Sequence, residues 1–355
     1  MRILEFRSDT FTLPTPAMRR AMAEAELGDD QYGEDPTVNR LEERSADILG
    51  KEAALYVASG MLGNLCGVLS QAQRGDEVIV GDLAHIYQNE MGAFTVVGGL
   101  HGRTVPNRDG LPALEDIEST IRPTAGSFPH TALVCLENSH NNCGGAVITP
   151  EGTRAVADLA HRHGAKVHLD GARIFNAAAA LGCDVRDLAA PADTVQFCFS
   201  KGLSAPVGSI LCGSRETVAR ARKVRKLLGG AMRQAGVIAA AALVALDTMR
   251  DRLVEDHVNA RALADGLAGI PGIRIAAEKV VTNIVSFEVD HGMMDAGDLQ
   301  TACAERGLRV SRYLGNSPRL RMVTHSGVTR SDVDAALAIV SEVLRPARQP
   351  ATAAS

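Results

Sequence analysis

Val167-His-Leu-Asp-Gly-Ala-Arg-Ile-Phe-Asn176 combines a short apolar run with polar residues directly after it. A second stretch, Phe197-Cys-Phe-Ser-Lys-Gly-Leu-Ser-Ala-Pro-Val-Gly208, repeats the arrangement and places a lysine in a Gly/Ser/Pro loop. Short β-branched runs of this kind alternate with longer amphipathic stretches through most of the chain. That alternation is typical of a mainly parallel sheet covered by helices, so the sequence predicts an α/β fold.

A large domain is predicted over residues 1–250, with an N-terminal segment at 1–13. Its strands are predicted at 54–57, 77–80, 95–97, 132–136, 166–169, 194–199 and 209–212. Helical patterns such as 150–163 and 216–228 separate them, as βαβ crossovers require. Asp35 and Pro36 predict a helix start that leads to a helix end at Gly50, because Asp favours the N-cap and Pro the first turn.

A smaller C-terminal α+β domain is predicted over residues 251–345. A charged helix at 250–267 precedes four strand candidates, near 273–276, 284–289, 309–310 and 320–323. The last helix opens with Ser331 and Asp334, in a pattern typical of a capping box. Residues 346–355 are rich in Ala and Pro and are predicted to be disordered, because they offer little apolar surface to bury.

Composition argues against several classes of partner. The 37 Lys plus Arg and 42 Asp plus Glu give a formal charge of −5, without a basic stripe for nucleic acid. The longest near-apolar run, at 235–246, is shorter than the ~20 residues of a membrane span. The seven cysteines contain no C-x-x-C pair and are predicted to be reduced. With no signal-peptide pattern at its start, the chain is predicted to be cytoplasmic.

Common cofactor and metal motifs are absent from the sequence. It contains neither G-x-G-x-x-G nor G-x-x-x-x-G-K-[ST], which bind dinucleotides and nucleoside triphosphates. It also lacks H-E-x-x-H and the G-x-S-x-G turn of many hydrolases. We therefore expect no metal site, and we look for catalytic residues at the ends of the predicted strands.

Lys201 and Asp170 are the main candidates, because each directly follows a predicted strand. At the carboxyl end of a sheet a lysine can reach a cleft and form a Schiff base with a carbonyl. Pyridoxal phosphate also needs a carboxylate at its pyridine nitrogen, because the protonated ring is the electron sink. The alternatives are an exposed loop lysine and, for Asp170, an Asx turn or helix N-cap.

Three further residues follow predicted strands. Ser59, in Ser59-Gly-Met-Leu-Gly-Asn64, opens an apolar helix whose N-terminus suits a phosphate, although an ordinary Ser N-cap is the simpler alternative. His85 is placed to stack on a cofactor ring, but a loop or core His is an alternative. Arg173 is either an anion-binding residue or part of a surface ion pair.

Together these motifs resemble the low-specificity threonine aldolases. These are pyridoxal-phosphate enzymes of the β-eliminating lyase group with the fold-type I aminotransferase architecture. The resemblance spans nearly the whole chain. The matching stretches are Phe6-Arg-Ser-Asp-Thr10, Gly28-Asp-Asp-Gln-Tyr-Gly-Glu-Asp-Pro-Thr37, Gly50-Lys-Glu-Ala-Ala54, Leu136-Glu-Asn-Ser-His-Asn141, Asp170-Gly-Ala-Arg-Ile-Phe-Asn176, Ser200-Lys-Gly-Leu203, Gly230-Ala-Met-Arg-Gln234 and Arg321-Met-Val-Thr-His325.

The resemblance implies a cofactor site for pyridoxal phosphate. Lys201 matches the lysine that binds the cofactor covalently, Asp170 the partner of its pyridine nitrogen, and His85 the residue stacked on its ring. Ser59 and Gly60 match the cradle of its phosphate. Met61 departs from the family, which usually has a second hydroxyl residue there, so we expect that one hydrogen bond to the phosphate is lost.

The resemblance also implies substrate-binding residues and an oligomer. Ser8, Arg173 and Arg321 match groups that hold the substrate carboxylate, where a planar guanidinium suits bidentate capture. Arg233 and Lys226 match basic groups that approach the cofactor phosphate or the substrate from a neighbouring subunit. Arg173 and Arg233 therefore also belong to the predicted cofactor-binding set. We expect a homo-oligomer, usually a tetramer in this family, with sites shared across a dimer interface.

The implied reaction is cleavage of L-threonine, L-allo-threonine or a related β-hydroxy-α-amino acid to glycine and an aldehyde. Ser127 and His130 stand where the family commonly has His and Arg. The group that takes the β-hydroxyl proton is therefore open among His85, a water and His130. The alternatives for function are another pyridoxal-phosphate lyase, racemase or transaminase reaction, or a catalytically idle homologue.

Overall fold

The structure is a computed structural model that describes residues 2–122, 126–313 and 317–345. The predicted tail at 346–355 lies outside the described residues. The strands are β1 Leu4–Glu5, β2 Ala53–Val57, β3 Glu77–Gly81, β4 His101–Val105, β5 Asn107–Arg108, β6 Leu111–Pro112, β7 Thr131–Glu137, β8 Lys166–Asp170, β9 Thr194–Cys198, β10 Ser209–Gly213, β11 Ile273–Arg274, β12 Ile284–Val289, β13 Leu308–Arg309, β14 Ser311–Arg312 and β15 Arg319–Val323.

The α-helices are α1 Pro16–Ala23, α2 Pro36–Leu49, α3 Gly60–Leu69, α4 His85–Gln88, α5 Ala93–Val96, α6 Leu114–Thr120, α7 Pro150–Arg162, α8 Ile174–Leu181, α9 Val185–Ala189, α10 Arg215–Leu227, α11 Gly236–Thr248, α12 Leu253–Ala268, α13 Ala296–Glu305 and α14 Arg330–Val343. Short 3-10 helices cover Asp9–Phe11, Asp30–Tyr32 and Ala277–Lys279. Across the described ranges, none of the helices is long and apolar enough to cross a membrane.

A seven-stranded sheet in the order β2-β10-β9-β8-β7-β3-β4 forms the centre of the fold and confirms the predicted α/β class. The strands from β9 to β4 are parallel to their neighbours, whereas β10 is antiparallel to both β9 and β2. All residues of β3, β7, β9 and β10 are buried, which explains their continuous apolar runs. The loops after β2, β3, β7, β8 and β9 consequently open at one edge of the sheet.

The strand predicted at residues 95–97 is wrong, because this stretch lies in and just after helix α5. Ala93 and Phe94 are buried against the core, whereas Val96 is 78% exposed. Burial of adjacent residues fits a helix turn and not the alternation of a strand. The weak helix preference of Thr and Val costs only a few tenths of a kcal/mol per residue and is overridden by packing.

A four-stranded antiparallel sheet, in the order β11-β12-β15-β14, lies in the C-terminal part of the chain. Buried apolar residues of α12, α13 and α14 pack with it in a second hydrophobic core. The capping box of α14 forms from Thr329 and Asp332, so the pair Ser331 and Asp334 predicted from the sequence is wrong. Thr329 precedes the helix, where its hydroxyl can accept the Asp332 N–H.

The N-terminal segment contacts both sheets, although the sequence predicted it with the large domain. Strand β1 pairs in parallel with β13 in a separate two-stranded sheet, and the Phe6 carbonyl accepts the N–H of Val323 on β15 at 2.8 Å. Phe6 is fully buried in the second hydrophobic core. A few residues later, the Thr12 hydroxyl donates to the carbonyl of Lys201 at 3.0 Å. The segment therefore links the C-terminal sheet to the loop after β9. The domain boundary at residue 250 stays a prediction.

Candidate active site

A cavity of about 480 Å³ opens where the loops after β3, β7, β8 and β9 meet the C-terminal sheet. Five residues predicted for the site line it: Ser8, His85, Arg173, Lys201 and Arg321. The other lining residues are Thr10, Leu83, Gln88, Asn89, Asn141, Asn142, Ser311, Arg312, Tyr313, Ser317 and Arg319. The fold thus brings together residues that are far apart in the sequence.

Lys201 is held in place through its backbone. Its carbonyl accepts hydrogen bonds from the Thr12 hydroxyl at 3.0 Å and from the Ser204 N–H at 2.9 Å. Ser204 has a φ of 63°, a left-handed conformation that costs a non-glycine residue energy and reverses the chain. No hydrogen bond involves the Lys201 Nζ in the described residues, so the amine is available to bond to a carbonyl.

Asp170 is the last residue of β8, does not line the cavity, and belongs to a buried hydrogen-bond network that the sequence did not reveal. The Asn64 amide nitrogen donates to Asp170 Oδ2 at 2.9 Å and to Glu90 Oε1 at 2.8 Å. The Ala172 N–H donates to Asp170 Oδ1 at 3.0 Å. Asn64, Glu90 and Asp170 are each at most 3% exposed. The Asp170 carboxylate is therefore fixed in orientation, as a partner of a ring nitrogen must be.

Glu90 also contacts His85, whose Nδ1 lies 3.0 Å from Glu90 Oε1. The His85 N–H donates to Glu137 Oε2 at 2.7 Å, which fixes the start of α4. Burial favours the neutral ring, but the hydrogen bond with Glu90 and the charge of Asp170 outweigh it and raise the pKa of His85. The contact with Glu90 therefore shifts the His85 ring towards its charged form.

Replacing Glu90 by Gln should lower the pKa of His85. Gln keeps the size of the side chain but removes the charge that favours the imidazolium, so burial then dominates. In the unaltered protein, the stabilisation from this pair is present below the ordinary pKa of His and is lost as the pH rises through the raised pKa of folded His85.

The measurement is an NMR titration of the His85 ring, assigned with the variant His85→Gln. Glu43→Gln, a change at an exposed position on α2, is the matched control and should leave the His85 titration as it is. A pKa of His85 that stays the same or rises in Glu90→Gln would contradict the assignment.

Arg173 forms a buried ion pair, which rules out the alternative of a surface ion pair. Its Nε and Nη2 donate to the two carboxylate oxygens of Asp9, each at 2.7 Å. Asp9 is fully buried and Arg173 is 5% exposed. Burial alone would raise the pKa of Asp9, but the charge and hydrogen bonds of Arg173 hold it well below its usual range. Two of the donors of Arg173 are therefore already engaged.

Arg321 approaches Arg173 through a shared partner. Its Nη1 donates to Asn141 Oδ1 at 2.8 Å, and Arg173 Nη1 reaches the same oxygen at 3.3 Å. Burial and the like charge of Arg173 lower the pKa of Arg321. Asp9 compensates the charge of Arg173, so Arg321 has the less neutralised guanidinium of the two. We therefore expect a carboxylate in the cavity to bind Arg321.

The sequence profile of the beta-eliminating lyases matches residues 5–290. The chain belongs to the beta-eliminating lyase family. It is 47% identical over 355 residues to "Low-specificity L-threonine aldolase 1" of Arabidopsis thaliana, covering 99% of both chains. It is 38% identical over 336 residues to "Low specificity L-threonine aldolase" of Escherichia coli (strain K12), covering 93% of this chain and 96% of the relative.

A solved threonine aldolase from Leishmania major has the same fold, with a TM-score of 0.80 at 20% identity. The alignment covers 96% of this chain and 99% of that one. The resemblance stated from the sequence motifs is thereby confirmed, and so is the fold-type I architecture that it implied.

The candidate phosphate cradle of this beta-eliminating lyase lies at the N-terminus of α3. Ser59 caps the helix, since its Oγ accepts the Leu62 N–H at 3.2 Å. A Cβ at Gly60 would lie 2.8 Å from Cys198 Sγ, so only glycine lets the helix start this close to β9. Met61 is 38% exposed. None of these three residues lines the cavity, but the helix start fits a phosphate, and Lys201 with Asp170 fits the rest of pyridoxal phosphate.

Arg233 and Lys226 do not line the cavity of their own chain. Arg233 is exposed and its Nη1 donates to Asp29 Oδ2 at 3.0 Å. Lys226 is exposed near the end of α10. A role for either residue at this cavity therefore requires a second subunit.

His130 and Ser127 are exposed and lie at the opposite edge of the sheet. The carbonyl of His130 accepts the N–H of Glu77, the first residue of β3. The seven residues of β7 separate His130 from the carboxyl edge by roughly 20 Å. His130 therefore cannot take the β-hydroxyl proton in its own chain, which removes one of the three alternatives.

Proposed function

We propose that this chain cleaves L-threonine, L-allo-threonine or a related β-hydroxy-α-amino acid to glycine and an aldehyde, with pyridoxal phosphate as its cofactor. The observation that carries the proposal is that Lys201 and Arg321 line one cavity at the edge of the sheet where β8 ends with the buried Asp170. The names of the relatives and the family of the chain support it. The enzyme is accordingly a carbon–carbon lyase.

Four groups of this chain would hold the cofactor. Lys201 would bind it covalently, Asp170 would pair with its ring nitrogen, His85 would cover its ring, and Ser59 with the N–H groups of α3 would take its phosphate. When bound, pyridoxal phosphate supplies an electron-withdrawing ring that stabilises negative charge at the substrate's Cα. Asn64 and Glu90 would keep Asp170 and His85 in place for this role.

Arg321 and Ser8 would hold the substrate carboxylate, with Arg173 offering an N–H of the Nη1 that also reaches Asn141. Holding the carboxylate fixes the rotation of the substrate about its Cα and thereby selects the bond to Cβ for cleavage. Cleavage needs a group that takes the β-hydroxyl proton. Of the alternatives left open by the sequence, His85, which lines the cavity, and a water remain for this step.

Product analysis tests the proposed function. The purified protein with pyridoxal phosphate should convert L-threonine to glycine and acetaldehyde in equal amounts, measured with an aldehyde-coupled assay and amino-acid analysis. A keto acid with ammonia in place of these products would indicate elimination, and a keto acid without ammonia would indicate transamination. Either result would overturn the proposal.

We also propose that the active form is a homo-oligomer, a tetramer as implied by the resemblance, that acts in the cytoplasm. The exposed positions of Arg233 and Lys226 outside their own cavity support a site completed by a second subunit. The seven cysteines are all free thiols, which supports a reducing compartment.

Mixing two inactive variants tests the shared site. Lys201→Ala and Arg233→Ala should each lose activity alone. Mixed oligomers should recover up to about a quarter of the unaltered activity, because one of the two sites in each mixed dimer combines an intact Lys201 with an intact Arg233. The control mixture is Lys201→Ala with Asp170→Ala. It should recover nothing, since both residues serve the cavity of the same subunit. No recovery in the first mixture would show that Arg233 does not act across an interface.

A further inference from the structure

Arg319 is a further cation of the active-site cavity, and the proposed reaction of L-threonine has no use for it. It lies on β15 two residues before Arg321, and both line the cavity. Side chains two residues apart on a strand point to the same face, with Cα atoms about 6.6 Å apart. The two guanidinium groups therefore form a pair of neighbouring anion-binding groups on one wall.

No carboxylate neutralises Arg319. Within the described ranges, no Asp or Glu oxygen lies within 4.0 Å of its guanidinium, and positions 1, 123–125, 314–316 and 346–355 contain no Asp or Glu. Its contacts are the Ser286 hydroxyl at 3.1 Å and the face of the Tyr313 ring at 5.0 Å. The opposing residue on β12 is Glu288, but that carboxylate is bound by Arg274 Nε at 3.0 Å.

The other cations of the cavity are already accounted for. Asp9 compensates Arg173, and Glu90 contacts His85. Lys201 is assigned to the cofactor and Arg321 to the substrate carboxylate. Arg312 also lines the cavity, but its Nε donates to the Ser317 carbonyl at 3.4 Å and its Nη1 lies beside Gly297, next to the N-cap Asp295 of α13. The described part of the cavity lining includes no Asp or Glu, which leaves the charge of Arg319 uncompensated.

There is room beside Arg319 for a substrate larger than threonine. A second cavity of about 440 Å³ adjoins the first, and Leu83, Asn142 and Arg319 line both. Its other basic groups are paired, Arg274 with Glu288 and Lys279 with Asp109 at 3.1 Å. Arg319 thus lies at the junction of the two cavities without a carboxylate partner among the described residues.

We propose that Arg319 selects β-hydroxy-α-amino acids whose β-substituent ends in an anion, a carboxylate or a phosphate. This inference rests on the proposed function. In the reaction, the Cα–Cβ bond breaks, the β-hydroxyl gives up its proton and becomes the carbonyl of an anionic aldehyde, and Cα takes up a proton to release glycine. Arg321 holds the α-carboxylate while Arg319 binds the second anion, and the spacing of the two residues matches two anionic groups on one small molecule.

The test compares two matched substrate pairs with the holoenzyme. The carboxylate pair is 3-hydroxyaspartate and its neutral amide, 3-hydroxyasparagine. The phosphate pair is threonine phosphorylated through a hydroxyl on Cγ and the same compound without phosphate. In one of the two pairs, we expect kcat/KM for the anionic substrate to exceed that of the neutral substrate at least tenfold. Whichever pair shows this difference tells whether the preferred anion is a carboxylate or a phosphate.

Arg319→Gln should reduce that anionic-to-neutral ratio at least tenfold, mainly through the KM of the anionic substrate, because the contact is made equally in the ground state and the transition state. Arg319→Lys keeps the charge and should retain part of the ratio. The matched control is Arg306→Gln, an exposed residue after α13 that pairs with Glu342, and it should leave the ratio as it is. Circular dichroism and the absorbance of bound cofactor check that each variant is folded and loaded.

If L-threonine is cleaved but the ratio of kcat/KM between the anionic and the neutral substrate is near one in both pairs, the inference is overturned. The proposed function then still stands. A ratio that survives in Arg319→Gln would also overturn the inference, because another group would then bind the anion. If neither L-threonine nor any of the four compounds is cleaved, the proposed function fails, and this inference fails with it.

Discussion

Replacing Lys201 by Ala should reduce the cleavage of L-threonine by about 10³-fold or more, because the variant loses both the covalent hold on the cofactor and an amine that can move protons at the site. The residue lies in a loop held by Thr12 and Ser204 through its backbone alone, so removal of its side chain breaks no other described contact. The loss is therefore expected in kcat with little change in thermal stability. Steady-state kinetics and a melting curve measure the two effects.

The control for this prediction is Lys223→Ala, which removes an exposed lysine from α10 and should keep full activity. The absorbance spectrum provides an independent check. The unaltered protein should show a visible band with pyridoxal phosphate, and Lys201→Ala should lose it. A variant that keeps more than a tenth of the activity would show that another group binds the cofactor.

The sequence predicts the central sheet well because its strands are buried on both faces. In β3, β7, β9 and β10 every residue is buried, so apolar runs alone locate them. The edge strand β4, His101–Val105, was missed because four of its five residues are at least partly exposed and it therefore lacks the apolar run. The nearby Thr-Val-Val run at 95–97 misleads for the opposite reason: its residues have strand preference, but they lie in and just after helix α5.

The sequence also predicts the cavity residues that directly follow strands, since the carboxyl ends of parallel strands meet. It does not reveal partners that act through other side chains. Glu90 lies only five residues after His85, yet its carboxylate also accepts a hydrogen bond from Asn64 of helix α3. Asp9 and Asn141 belong to stretches that match the threonine aldolases, but their pairing with Arg173 requires the fold. A single sequence contains no signal for such contacts.

Replacing Asp9 by Asn should destabilise the protein by about 3–5 kcal/mol, because Arg173 would remain buried as an unpaired charge. The effect should depend on pH. The pKa of Asp9 is depressed in the folded protein. The contribution of Asp9 to the free energy of unfolding is therefore fully present above the ordinary pKa of Asp, about 4, and is lost as the pH falls towards the pKa of folded Asp9. Urea denaturation at neutral and acidic pH should show the largest difference between the two proteins at neutral pH.

The matched control is Asp334→Asn, which breaks the exposed ion pair with Arg330 and should cost at most about 0.5 kcal/mol. A double variant separates stability from function. Asp9→Leu with Arg173→Met replaces the buried pair by apolar groups and should restore most of the stability. It should still raise the KM for L-threonine, because Arg173 no longer supports Asn141 and Arg321 at the substrate carboxylate. A double variant with the ordinary KM would show that the pair serves the fold alone, and that Arg321 binds the carboxylate without it.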